Sequence, residues 1–426
     1  IAGCYGYQVR DTSSRLDSLI DDRGFFIFRS AHSAGPWTLP ATAKFMTSRY
    51  RNIDRNGGVP TEYATLAETL GRAGYYCAAF TGGGVLRSRG FEQGFHQYFW
   101  SEELGDILGK VESVFPHVRS WLGANDLSPF FLFVHTYEPH TPYNRDVFCR
   151  DLARGRLGDL SRGGGLLPVS AFGDERFPRL TPSESLYVQA AYDGGVKTAC
   201  DATADLLRSL DRDRLWDNTL VVILSDHGEE FWEHSRLFAE HSVTSLHGEV
   251  INVPFLLHDP AFRRKGATHI YAPVSTVDML PTVCQLTGVR TGAPCDGVSL
   301  VPLLRGEDLV RHIPIMASTH PGDKAWPVRS CVVADGWKYI EPVRANPGQD
   351  WEYAVHEQLY RVAGDQGETE ECAANLPEQT RRAAERLREG LALAAPLVAD
   401  THDRREPADS AALQAQLRAL GYVRSE

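Results

Sequence analysis

The sequence predicts an α/β protein: a mostly parallel sheet flanked by helices, with a smaller C-terminal α+β subdomain. Three observations carry this. Continuous apolar runs recur over residues 1–310, helical periodicity separates them, and the texture changes beyond 310. Continuous runs are expected of strands covered on both faces. Helix and strand in alternation indicate parallel pairing.

In chain order, Gly24 to Phe28, Tyr75 to Phe80, Phe130 to His135, Thr219 to Leu224 and Val253 to Leu257 read as strands. Val196, Cys200, Thr203, Leu207 and Leu210 recur at spacings of four, three, four and three, one face of an α-helix. Thr203 is the weakest member, because only its methyl group is apolar. The turn Trp216-Asp217-Asn218 leads from this helix into the next strand. Asn144 to Pro182, rich in Gly, Arg, Asp and Ser, reads as a long surface insertion or lid. Beyond 310, Ser330 to Ala334 and Trp337 to Ile340 read as strands. A helix follows, with Asn375 as cap, Pro377 in its first turn, and Leu387, Leu391 and Ala394 on its apolar side. The expected organisation is a catalytic domain over 1–310 and a subdomain over 311–426, with no internal repeat.

The chain has 426 residues, and 44 Lys and Arg against 55 Asp and Glu give a net charge of −11. With 42% hydrophobic and 23% charged residues, it is ordinary globular material rather than disordered. The acidic balance argues against nucleic acid or an anionic membrane as partner. It leaves an anionic substrate open, since a metal ion inverts charge locally. No run reaches the length of a membrane-spanning helix. The chain starts at Ile1 rather than Met, so localisation stays open between periplasmic or extracellular and cytoplasmic. Eight cysteines are too few for a disulfide scaffold of this size, and none are spaced C-x-x-C. Cys77 and Cys284, among apolar neighbours, read as small core residues.

Four segments could carry chemistry. Ser225-Asp226-His227-Gly228-Glu229-Glu230 directly follows a strand, and ligands gather at strand carboxyl ends in open α/β sheets. Asp226 and His227 can turn toward one divalent cation, offering an oxygen and an imidazole: calcium, or zinc or manganese given the Asp-His pair. The structural alternative is a solvated turn. Downstream, His234, His241 and His247 precede Glu249 in a dense cluster suited to a second metal or an anionic ester; the alternative is idle surface imidazoles. Phe133 to Tyr143 also leaves a strand, and its prolines stiffen a loop in which His140 could donate to a substrate oxygen. The alternative is a rigid loop with an exposed His. In Trp37-Thr38-Leu39-Pro40-Ala41-Thr42, a metal-activated Thr38 hydroxyl would be a nucleophile. Otherwise it caps a helix.

Together and in order, these segments resemble the sulfatase family within the alkaline phosphatase superfamily. Gly3-Cys4-Tyr5-Gly6-Tyr7 is similar to the end of the first metal motif, D-T-x-R-x-D-x-x-G-x-Y-G, and Trp37 to Ala43 to the nucleophile segment. Phe91 to Phe95 resembles G-F-x-x-G-F-D-x-Y, and Glu138 to Tyr143 the D-P-H-x-P-Y loop. Asp226-His227-Gly228-Glu229 resembles the late metal motif, with Glu249 and Val253-Pro254 after it. Asp278-Met279-Leu280-Pro281-Thr282, Asp296 to Leu300, Glu357 to Glu368 and Leu417 to Tyr422 are similar to later family stretches, the last to tails of bacterial members.

The resemblance implies an alkaline-phosphatase-like fold and a metal-dependent hydrolase of sulfate or phosphate esters. Asp226, His227 and Thr38 would hold the cation, His140 would bind the transferred group, and His234 or His241 would stand near the leaving oxygen. The substrate would be a sulfated or phosphorylated small molecule, glycan or lipid head group. Where the family has C-x-P-S-R or S-x-P-S-R, this chain reads Thr38-Leu39-Pro40-Ala41-Thr42. Threonine is no formylglycine precursor, so the hydrated-aldehyde route is closed, and Thr42 replaces the nucleophile's Arg. Threonine nucleophiles occur in phosphoryl-transferring relatives. Thr81-Gly82-Gly83-Gly84 stands where the family has G-K-W-H. The last Asp of the first metal motif would fall just before Ile1, so that strand and its carboxylates are expected to lie outside this sequence. Two alternatives stay open: a phosphodiesterase, phosphonate hydrolase or phospho-group transferase using Thr38, and a catalytically silent binding protein of the same fold.

Overall fold

The computed structural model describes residues 10–50, 58–87, 90–101, 108–124, 129–152, 180–212, 215–231, 233–234, 245–262, 264–319, 329–341, 357–362, 367–372, 385 and 389. The N-terminal motif at Gly3 to Tyr7, most of the 144–182 insertion, His241, the helix expected after Asn375 apart from Glu385 and Glu389, which are helical, and the tail at Leu417 to Tyr422 lie outside the described residues.

Helix α1 (Ser14–Arg23) buries Leu16, Leu19 and Ile20 on one face. Strands β1 (Phe26–Phe28) and β2 (Ala31–His32) and helices α2 (Thr38–Thr47) and α3 (Leu66–Arg72) follow. Next come β3 (Tyr76–Thr81), β4 (Gln97–Trp100), α4 (Val111–Ala124), β5 (Phe130–His135), α5 (Pro182–Arg212) and β6 (Val221–Leu224). Then α6 (Gly248–Ile251), β7 (Phe255–His258), β8 (Thr268–Ile270), β9 (Val274–Ser275), α7 (Met279–Thr287) and α8 (Val301–Leu304) precede the last four strands. Those are β10 (Ile315–Ser318), β11 (Ser330–Ala334), β12 (Trp337–Ile340) and β13 (Gln358–Arg361).

β3 pairs in parallel with β4 on one side and β5 on the other, with Thr81 opposite His135. A second sheet runs β6-β7-β1-β8, in which β1 is parallel to β8 and β7 is antiparallel to both neighbours. β2 and β9 form a short parallel pair, and β10 to β13 an antiparallel meander.

The continuous apolar run of β1 has a direct cause. Its side chains alternate between faces, and both faces are covered. Ile27 packs with Leu16, Ile20, Phe115 and Leu207 under α1, α4 and α5, while Phe26 and Phe28 pack with Phe45, Leu257 and Leu280 on the other side. Each such side chain contributes roughly 1.5–3 kcal/mol by leaving water. The helix expected over 196–210 is the middle of α5. Its buried face is Val196, Cys200, Ala204, Leu207 and Leu210, so Ala204, not Thr203, is the inward residue. β5 and β6 depart from the expectation of two covered faces. All six residues of β5 and three of the four in β6 are half-buried, and among the described residues each strand has a partner on one side only.

Two buried lysines tie the C-terminal meander to the rest. Lys44 on α2 donates from Nζ to Ala34 O (2.8 Å) and to Ser318 Oγ on β10 (2.7 Å). Burial pushes its pKa down to about 7. Lys338 on β12 donates to both carboxylate oxygens of Glu368 (2.7 and 2.8 Å), and Glu368 meets His247 Nδ1 at 3.3 Å, just before α6. No described helix is long and apolar enough to cross a membrane.

Candidate active site

β5 and β6 both end at the same place, and the turn after β6 is laced down by its backbone. Ser225 N donates to Pro254 O (3.1 Å), Gly228 N to Val250 O (2.7 Å) and Glu229 N to Glu249 O (3.0 Å). The last two bonds bring Gly228 so close to α6 that a Cβ there would lie well inside 3.0 Å of the Glu249 carbonyl oxygen. Glycine is therefore a packing requirement of the Asp-His-Gly sequence. Ser33 Oγ donates to the Asp226 carbonyl and holds the turn from the other side.

Asp226 Oδ1 accepts from His227 N (3.0 Å). Its Oδ2 is buried without a hydrogen-bond partner; the nearest ring nitrogens are His227 Nε2 at 3.6 Å and His135 Nε2 at 3.9 Å. Burial alone would raise this carboxyl's pKa, but the neighbouring His227 and His135 imidazoles and the Thr38 hydroxyl outweigh it and hold it well below the usual range. The carboxylate is thus ionised with one oxygen left over.

Three imidazoles share one arrangement. Nδ1 of His227 lies 2.8 Å from Gly228 O, Nδ1 of His135 3.3 Å from Gly82 O, and Nδ1 of His140 2.7 Å from Thr141 O. A carbonyl only accepts, so each Nδ1 carries the proton and donates it. Each Nε2 is then the atom with the lone pair, the arrangement expected of a metal ligand or a base. His227 Nε2 stands 3.3 Å from Thr38 Oγ1. The hydroxyl of Thr38 is not a cap: Trp37 holds the cap position and Thr38 is the first residue of α2, only 1% exposed.

His140 is positioned by its own loop. Lys110 Nζ donates to the carbonyls of Tyr137, Glu138 and His140 at 3.3, 3.0 and 3.3 Å, and Arg145 Nε reaches the buried Glu138 at 2.6 Å. The Thr141–Pro142 peptide in this loop is cis. Thr38, His135, His140, Asp226, His227 and Glu229 line one pocket of about 60 Å³, room for about four to six water-sized atoms. That suits a single tetrahedral oxyanion group.

Four of the six residues singled out in the sequence, Thr38, His140, Asp226 and His227, thus share one pocket. His234 lies behind the turn, with Nε2 3.0 Å from Glu249 Oε2 and its ring stacked on His247 at 3.8 Å. Burial lowers the His234 pKa, but the Glu249 hydrogen bond and charge outweigh it and raise it overall; burial drives His247 down to about 4. The stacked pair therefore combines a ring that favours its charge with one that resists it. His241 lies outside the described residues. Of the imidazole and carboxylate side chains lining the pocket, two were not singled out: His135, the last residue of the β5 run, and Glu229. The signal for His135 was its place at a strand's carboxyl end, which His140 overshadowed.

Among the described residues, no group of three or more His, Cys, Asp and Glu side chains is spaced to hold a metal ion. The partnerless Oδ2 of Asp226 with His227 Nε2 and Thr38 Oγ1 nevertheless fits one side of a divalent cation: a charged oxygen, an imidazole nitrogen and a hydroxyl.

A family model described as Sulfatase matches residues 1–289. The chain is 29% identical over 188 residues to the Delta 4,5-hexuronate-2-O-sulfatase of Bacteroides thetaiotaomicron, covering 43% of this chain and 36% of that protein. It is 23% identical over 209 residues to the multifunctional alkaline phosphatase superfamily protein PehA of Trinickia caryophylli, covering 43% of this chain and 39% of the other. The match thus spans less than two fifths of either relative's length. The phosphonate monoester hydrolase of Agrobacterium radiobacter superposes with a TM-score of 0.68 at 18% identity, covering 93% of this chain and 94% of that one. The fold is the alkaline-phosphatase-like α/β fold with a small antiparallel C-terminal sheet, and the chain belongs to the sulfatase family.

Proposed function

We propose that this chain is the catalytic part of a metal-dependent hydrolase of anionic esters, with Thr38 as nucleophile and a preference for phosphoryl or phosphonyl over sulfuryl groups. One observation carries the reading: Thr38 Oγ1 lies 3.3 Å from His227 Nε2, beside the buried, partnerless Oδ2 of Asp226. Asp226, His227 and Thr38 would hold a divalent cation (calcium, or zinc or manganese), which when bound lowers the pKa of the hydroxyl and offsets the charge of the ester.

The chain's own residues supply the rest. Thr38 stands at the first position of α2, where backbone N–H groups favour negative charge on the ester oxygens. Thr38 Oγ1, its proton already given to solvent, forms a bond to the central atom as the bond to the leaving oxygen breaks. His140, with a proton taken up at Nε2, gives that oxygen its proton and then takes one from the water that cleaves the Thr38 ester, releasing Thr38 as the alkoxide it began as. A threonine ester has no second hydroxyl through which to collapse, so water must attack it directly. Phosphoryl intermediates tolerate this route, with the spread charge stabilised electrostatically. The substrate would be a sulfated or phosphorylated small molecule, glycan or lipid head group, and the hexuronate sulfatase likeness supports a glycan among these.

A second reading, a silent protein of the same fold that binds such groups, is favoured by the incomplete set of metal ligands among the described residues. A panel of aryl sulfate, phosphate monoester, phosphate diester and phosphonate monoester, with and without chelator, separates the two. Thr38→Ala should lower turnover on the order of a thousandfold or more while leaving the fold intact. Normal turnover by Thr38→Ala, or efficient sulfate release with no phosphoryl activity, would reject the nucleophile assignment.

A further inference from the structure

We propose that Glu229 sets the charge class of the substrate, admitting esters with one negative charge at the reacting group over those with two. The inference rests on reading the pocket as an ester-binding site.

Glu229 lines the pocket beside Asp226. Its carboxylate is held in place by a buried tyrosine. Tyr143, only 4% exposed, donates from its hydroxyl to Glu229 Oε2 at 2.9 Å, and Glu229 N donates to Glu249 O at 3.0 Å. Tyr143 is itself packed edge-on against Tyr192 at 5.7 Å and tilted against Phe231 at 6.0 Å. A carboxylate pinned at both backbone and head cannot swing away when an anion enters. Among the described lining residues there is no Lys or Arg; imidazoles are the only side chains there able to carry positive charge.

The consequence follows from charge alone. A fixed carboxylate repels each additional negative charge on the ligand, and a low-dielectric pocket focuses that repulsion. Near pH 8 a phosphate monoester carries two charges at its head. A sulfate monoester, a phosphate diester and a phosphonate monoester carry one. Any cation held at Asp226 attracts the doubly charged head more strongly, and Glu229 offsets that advantage. It is thus a repulsive element that rejects a competitor rather than an attractive one that recruits the substrate.

The test compares wild type with Glu229→Gln and Tyr143→Phe in the metal-loaded protein at fixed pH and ionic strength. kcat/KM is measured for 4-nitrophenyl phosphate and for bis(4-nitrophenyl) phosphate, 4-nitrophenyl phenylphosphonate and 4-nitrophenyl sulfate. Binding of phenylphosphonate, with two charges, against its methyl ester, with one, gives the same selectivity without turnover. Glutamine keeps the size and the acceptor for Tyr143 and removes only the charge. The ratio of doubly to singly charged ligand should rise on the order of tenfold in Glu229→Gln, as for one unit charge removed within about 10 Å. Tyr143→Phe, which unpins the carboxylate, should shift it the same way by less. An unchanged ratio in Glu229→Gln overturns the inference, and so does equal loss of every substrate, which would make Glu229 part of the reaction itself. A wild type that turns over none of the esters yet shows the shifted binding ratio would overturn the hydrolase reading and leave the charge selection standing; failure to bind either phosphonate would overturn both.

Discussion

Replacing Gly228 by alanine tests the architecture of the site with a single methyl group. The new Cβ would meet the backbone oxygen of Glu249 well inside 3.0 Å, and a backbone atom cannot rotate aside. The turn must retreat by on the order of 1 Å, comparable to misplacements that cost about a hundredfold in rate at a catalytic centre. That retreat strains the bonds from Gly228 N to Val250 O (2.7 Å) and from Glu229 N to Glu249 O (3.0 Å). Overpacking of this kind costs about 1–3 kcal/mol of stability. The loss reaches the chemistry because the His227 ring is oriented by Gly228 O (2.8 Å), which moves with the turn. Equilibrium denaturation and ester kinetics should therefore both respond, with kcat falling more than KM rises. Gly123 in α4 is the control. A Cβ there meets nothing within 4 Å, and Gly123→Ala should be neutral or stabilise by up to about 1 kcal/mol. A Gly228→Ala protein as stable and as active as wild type would refute the close approach on which the site's geometry rests.

Asp226→Asn should lose bound divalent metal and activity together, because an amide lacks the charge that a hard cation requires; unchanged metal content by elemental analysis would remove Asp226 from the ligand set. Glu368→Ala strands Lys338, whose side chain is 1% exposed, and should cost about 3–5 kcal/mol, whereas Lys338→Met with Glu368→Leu should cost less; denaturation of the three variants decides it. Acid should also weaken the fold. Burial holds His32 and His247 at about 4 against an ordinary 6.5, so the unfolded chain takes up protons first and stability falls as pH drops through that window. Below it Glu368 acts in the same direction, since despite its burial Lys338 and His247 lower it to about 2 from 4.5. Stability that stays flat from pH 6.5 to 4 would show that neither histidine is buried neutral.

Much of the fold was legible because its signals are local. A strand covered on both faces needs apolar residues at every position, and Phe26, Ile27 and Phe28 show this by sending alternate side chains into two separate cores. The β5 run, Phe130 to His135, was predicted at both ends. Asp226, His227 and His140 could be chosen because they follow such runs, and Thr38 because the ordered set of motifs resembles a family. Periodicity placed Thr203 inward where the helix turns Ala204 in, since a small residue's orientation is decided by its neighbours rather than by its own polarity.

What only the tertiary structure decided are relations between segments distant in sequence. His234 and His247 belong to a histidine-rich stretch of the sequence, yet in the fold they pair with Glu249 and Glu368 rather than lining the pocket. His135 enters the site because β5 and β6 end side by side, a relation no local pattern encodes. Gly228 is required by a carbonyl on α6, and Glu229 is pinned by a tyrosine 86 residues earlier. The physical reason is range. Helix and strand formation depend on hydrophobic burial and backbone geometry within a few residues, which the sequence writes out. The charge and orientation of a site depend on which atoms lie within about 4 Å, and that is set only when the whole chain has packed.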